Sequence, residues 1–132
     1  MKKLVVSLFA VLLLWSCSQE DKVVPTVSLV GNWQWVSSSG GIAGTLETPA
    51  STGDSQRLEI SETSVKRYRN GVLEFNIMYV IESQESQLFN EPRNMMIQEN
   101  GFRQVIVLNG NRLLLIGDCN DCFTSEYIRQ GE

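Results

Sequence analysis

The sequence predicts an all-β domain, a small eight-stranded antiparallel up-and-down barrel, and three observations carry that expectation. Asparagine–glycine pairs stand at Asn70-Gly71, Asn100-Gly101 and Asn109-Gly110, each between runs with strand character. A type I′ turn needs φ > 0 at both central residues, which asparagine tolerates and glycine adopts freely, so each pair predicts a tight hairpin. Leu73, Phe75, Ile77, Tyr79 and Ile81 alternate with Glu74, Asn76, Met78 and Val80, a period of two with one strongly apolar face. Beyond the first residues, no segment combines a 3.6-residue apolar period with a capped start and stop, so no helix is required.

The elements follow in chain order. Residues 29–36 open the domain with Trp33 and Trp35 on one strand face, and residues 56–61 form the next strand. Strands at 64–69 and 72–82 flank the first Asn-Gly pair, and those at 94–99 and 102–108 flank the second. Residues 112–117 follow the third pair, and 123–129 close the set with Phe123, Ser125 and Tyr127 alternating against Thr124, Glu126 and Ile128. Eight short strands joined mostly by tight hairpins bury their edges if they close on themselves; an open two-layer sandwich is the competing architecture. At that strand number the interior is filled by side chains or holds one small ligand. Trp35, Phe75, Tyr79, Phe102 and Tyr127 are the candidates to fill it. Two connections are longer: residues 37–55, rich in serine, glycine and threonine, and the polar stretch 83–92 with Leu88 and Phe89. The first suits either a lid over one barrel mouth or a mobile surface loop.

The chain has no histidine, which excludes Ser-His-Asp and Cys-His triads, histidine general bases and histidine-bearing zinc sites. Catalysis is left with carboxylate, lysine, tyrosine or cysteine, and no catalytic residue is nominated. Without residues 1–16 the chain keeps nine basic and fifteen acidic residues, a balance of −6. Such a surface repels nucleic acid and anionic headgroups.

The first residues have a different logic. Lys2 and Lys3 precede an apolar run at 4–15, and Ser16 supplies a small residue before Cys17. The pattern is that of an export signal, and the run is shorter than the ~20 residues of a spanning helix. Leu14-Trp15-Ser16-Cys17 resembles the lipobox of bacterial lipoproteins, in which the cysteine is diacylated and becomes the first residue of the mature chain. The resemblance implies a signal peptide at 1–16, lipid attachment at Cys17, a tether at 17–27 and a barrel domain at 28–130. The alternative is an ordinary signal peptide with an incidental cysteine. Ser18, rather than an aspartate, after that cysteine implies sorting to the outer membrane of a diderm bacterium, on its periplasmic face or at the cell surface.

Gly31-Asn32-Trp33 looks like the Gly-x-Trp signature that opens lipocalins and related calycin barrels. With Leu29-Val30 before it, Ser39 to Gly44, Thr48-Pro49, Tyr68 to Gly71 and the closing run from Phe123 to Arg129, the chain resembles the lipocalin-like domains of bacterial lipoproteins. The resemblance implies that Trp33 closes one end of the barrel beneath Arg129, and that a small or apolar molecule binds inside.

Cys119-Asn120-Asp121-Cys122 is the one constellation that could carry chemistry. With Cys17 acylated, these two make an even pair, and a disulfide is expected in an oxidising compartment. An idle thiol pair is one alternative, and a Cys-x-x-Cys oxidoreductase or a metal site another. The motif sits between two strand patterns with no helix behind it to lower a thiol pKa. Asp118 and Asp121 beside it could bind a cation or be simply solvated, and no metal site or cofactor is nominated. The expected function is a lipid-anchored, non-catalytic envelope module that binds a small or apolar ligand. A protein partner, in the manner of a protease-inhibitor-like barrel of a surface complex, is the alternative within binding proteins.

Overall fold

The computed structural model describes residues 29–131. Nine strands, β1 (Gly31–Gly40), β2 (Thr45–Glu47), β3 (Gln56–Ile60), β4 (Ser64–Arg69), β5 (Val72–Glu85), β6 (Pro92–Gln98), β7 (Arg103–Asn109), β8 (Arg112–Gly117) and β9 (Phe123–Arg129), form one antiparallel sheet. Eight of them close into a barrel through the β1–β9 ladder, and β2 is a short appendage on β1. Closure leaves the sheet without its two natural edges.

β1 is where the barrel is sewn shut. One of its edges pairs with β9 from Trp33 opposite Arg129 to Gly40 opposite Phe123. The other pairs first with β3, from Gly31 opposite Ile60 to Gln34 opposite Arg57, and then with β2, from Ser38 opposite Glu47 to Gly40 opposite Thr45. The strand therefore runs well past Val36, and residues 37–55 are not a free loop: they hold the end of β1, β2 and a short helix. Ser38, Ser39 and Gly40 carry no apolar alternation, but they complete a ladder, and the Ser38 hydroxyl shares a 2.7 Å hydrogen bond with Ser125. A one-turn helix, α1 (Pro49–Thr52), follows. Thr48 caps it in a reciprocal box with Ser51, proline occupies its start, and Gly53 ends it in the left-handed conformation.

The three Asn-Gly pairs all fall in hairpins, with one turn type each. Asn70 and Gly71 both have φ > 0 between paired Arg69 and Val72, as type I′ requires. At the second pair Gly101 alone is left-handed, its N–H bonded to the Gln98 carbonyl, which makes a longer turn. At the third, Asn109 still pairs with Arg112, so the turn is Gly110-Asn111 with φ > 0 only at the glycine.

β5 extends to Glu85, through the first three residues of the segment that reads as a polar connection. Its residues 72–78 pair with β4 and its residues 79–85 with β6. A bulge lies at Glu74, where Arg67 pairs with Phe75 but Tyr68 pairs with Leu73. The extra residue shifts the alternation, so Phe75, Ile77 and Ile81 pack on the core while Leu73 is turned outward.

The core inside the barrel is built on Trp33, Trp35, Leu58, Ile60, Met96 and Leu113, with Tyr79 and Tyr127 among them. Phe102 stands apart from it, 42% exposed at the β6–β7 turn. Successive strand residues face opposite sides, so Met95 and Val105, paired and fully buried, form a second apolar cluster on the outer face. The β5–β6 connection is pinned through Ser86, whose hydroxyl donates to Asp118.

Candidate functional site

At the end where β1 begins, the barrel is plugged. The Trp33 indole N–H donates to the Leu29 carbonyl at 2.9 Å, and both residues are fully buried. Arg129, opposite Trp33 in register, lies 4.2 Å from the indole centroid and donates to the Val30 carbonyl at 3.0 Å. A Cβ on Gly31 would approach that guanidinium to 2.9 Å, and Gly31 has φ +145°, so glycine suits this crossing twice over.

The opposite end is polar and incompletely filled. β4 directs Val65, Arg67 and Arg69 to the same face. Val65 is buried in the core, Arg67 lies 4.7 Å over the Phe75 ring, and Arg69 pairs with inward-facing Gln56. The bulge aims Glu74 at both arginines: Arg67 Nε donates to one carboxylate oxygen at 2.6 Å and Arg69 Nε to the other at 2.7 Å. Burial works against the Glu74 charge, but the two guanidinium neighbours outweigh it and hold the carboxyl below its ordinary range. Asp54 is lowered as well, chiefly by the Asn70 amide, against burial and with help from Arg69.

Arg67 and Tyr127 are common to two adjoining cavities. One, of about 160 Å³, is bounded by Leu58, Val65, Met96, Leu115, Phe75 and Phe102, with Arg67, Gln98, Gln104 and Tyr127 as its polar members. The second, of about 170 Å³, is polar, bounded by Ser38, Glu47, Gln56, Arg69, Phe123 and Ser125 as well as Arg67 and Tyr127. The first follows from the stagger of β5. Among the described residues, residues 72–77 have only β4 as a ladder partner, which leaves room beside Phe75 where the β6–β7 turn comes round. Burial pushes the Tyr127 phenol up, while its bond to Ser125 and the Arg67 charge pull it partly back.

The sequence reading did not single out Arg67, Gln98 or Gln104. Its usable signal was parity: Arg67 shares a face with Val65, and Gln98 with Met96. The bulge that brings Glu74 to Arg67 has no sequence mark.

Cys119 and Cys122 lie in the β8–β9 turn with their sulfurs at disulfide-bonding distance. The Cys122 N–H donates to the Cys119 carbonyl, and β9 starts at the next residue, so no helix N-terminus faces either sulfur. Asp118, just before the turn, is fully engaged on the outer face. It accepts from the Ser86 hydroxyl at 2.6 Å, from the Gln87 and Leu88 N–H groups, and from Arg103 at 2.8 Å. Burial resists its charge, yet these donors together hold its carboxyl below the ordinary value. They leave it no role as a cation ligand. Among the described residues, no three Cys, Asp or Glu side chains converge as a metal site requires. Cys17 lies outside the described residues.

No protein-family model, curated protein or solved structure matches this chain.

Proposed function

We propose that the chain is a lipid-anchored, non-catalytic envelope lipoprotein whose barrel binds one small ligand at its open mouth. The leader ending in Ser16-Cys17 supports export and anchoring, and the lipocalin-like resemblance supports a binding role. The observation that carries the reading is the 160 Å³ cavity beside Phe75, apolar in its walls with a few polar groups converging on it. Its volume limits the ligand. An enclosed apolar cavity of about 150 Å³ takes a single benzene ring, so a space of this size suits one ring better than a long acyl chain.

The test uses methionine methyl groups as reporters, since Met96 lines the cavity and Met78 is exposed on the outer face. Titrating the full chain with benzyl alcohol and benzoate should shift the Met96 methyl resonance in a saturable way and leave Met78 still. If neither compound moves Met96, the reading is wrong.

A protein partner is the second reading, and one observation favours it. Met78 and Val80, each more than half exposed, border a shallow apolar cavity of about 270 Å³ with Ile97 on the outside of β5 and β6. Serine at both positions should abolish capture of such a partner and leave ligand binding intact.

A further inference from the structure

We infer that the mouth recognises a one-ring organic carboxylate, with Arg67 as the group that takes the carboxylate. This rests on the reading that the mouth binds a ligand and adds its chemical class. Arg67 uses only Nε internally, on Glu74, and its two terminal nitrogens make no hydrogen bond among the described residues. The side-chain amides of Gln98 and Gln104, on the same cavity, likewise have no partner among the described residues. All three side chains are half-buried, that of Arg67 33% exposed, and polar groups left without a protein partner around a largely apolar space are an arrangement that a ligand completes.

The geometry selects the class. A guanidinium engaged through Nε keeps the forked pair of terminal nitrogens that matches a carboxylate in two parallel bonds. Phe75, beneath Arg67, and Phe102 both line the cavity and give it aromatic surface that suits a flat ring. The charges around the site permit an anion. Arg67 and Arg69 balance Glu74 and Asp54, so the cluster carries no net negative charge, and Glu74 occupies only the Nε of Arg67. Glu47 borders only the adjoining polar cavity, and Lys66 stands on the outward face of β4.

The experiment is calorimetric titration of the full chain with benzoate, its neutral isostere benzamide, and decanoate. Benzoate should bind at least about tenfold more tightly than benzamide, as a charge-assisted pair requires, and decanoate should not bind in the cavity. Arg67→Gln should bring benzoate down to the level of benzamide without changing benzamide. Arg67→Lys, which keeps the charge and loses the fork, should fall between. Equal binding of benzoate and benzamide by the unmodified chain overturns the carboxylate assignment while leaving a ligand-binding mouth. Tight decanoate binding that shifts Met96 overturns the one-ring limit. Binding of none of the three overturns both this inference and the broader reading.

Discussion

Arg129 holds the start of β1 to the end of β9 by two contacts at once: its guanidinium covers the Trp33 indole and bonds the Val30 carbonyl. The indole in turn bonds Leu29, so one arginine and one tryptophan fix the entry of the chain and close that end of the barrel. Trp33→Ala should cost ~3–5 kcal/mol, because it removes a fully buried ring that the closed end cannot refill. Arg129→Met keeps much of the apolar cover and loses the cation–π contact, about 0.5–2 kcal/mol, and the hydrogen bond to Val30, about 0.5–1.5 kcal/mol. Urea denaturation of the two variants should show that order, and equal losses would deny Trp33 its role as the plug.

Asp118 gives the domain an acid-sensitive clamp on its outer face. Its folded pKa is depressed, so its contribution is complete above the unfolded value of about 3.9 and disappears as pH falls through the lower folded value. Asp118→Asn should lower stability at neutral pH by about 1–3 kcal/mol, since the amide keeps one acceptor oxygen but loses the charge and turns an NH2 group towards donors that the second carboxylate oxygen served. The difference between variant and parent should shrink towards zero as the pH is taken below 4. Melting curves across pH 2 to 7 measure it.

Much of this architecture was legible in the sequence. Asn70-Gly71 formed the turn its chemistry specifies, and the alternation from Phe75 to Ile81 marked the inner face of β5. One cause of misreading is that hydrophobic alternation is silent where a barrel strand is polar, and another is a bulge. Ser37 to Gly40 belong to β1 because β9 and β2 complete their backbone bonding, and nothing in a serine run announces that. Leu73 matched the inward period until the bulge at Glu74 turned it out. The same bulge made the mouth: it joined Glu74 to Arg67 and Arg69, and only the register of β4 against β5 places them together.

The cysteine turn should prove structural rather than redox-active. A disulfide closing so short a loop removes little unfolded-state entropy and should contribute less than the ~3 kcal/mol associated with a 15-residue loop. Changing Cys119 and Cys122 together to serine should leave a folded domain with unaltered benzoate binding. Gly117→Ala should be harmful on its own account, because its Cβ would stand 2.5 Å from the Cys122 Cβ. Insulin reduction catalysed by the unmodified chain above a small-thiol control, and lost in the double variant, would contradict a purely structural turn.

The anchor rests on the leader alone. Cys17→Ala should accumulate an unlipidated precursor, and inhibition of the lipoprotein signal peptidase should accumulate an uncleaved, lipidated precursor in the parent. An unchanged size and membrane partition under both treatments would remove the lipid from the account.

The claim at the centre is that the barrel mouth is a ligand site rather than a packing defect. Native mass spectrometry of the full chain isolated from its own cells addresses it most directly, recorded before and after denaturation and repeated with Arg67→Gln. The account predicts a single small adduct on the folded parent chain, acidic and of one-ring size, released on denaturation and absent from the variant. The same mass for folded and denatured parent chain, with no adduct restored by added benzoate, would contradict it.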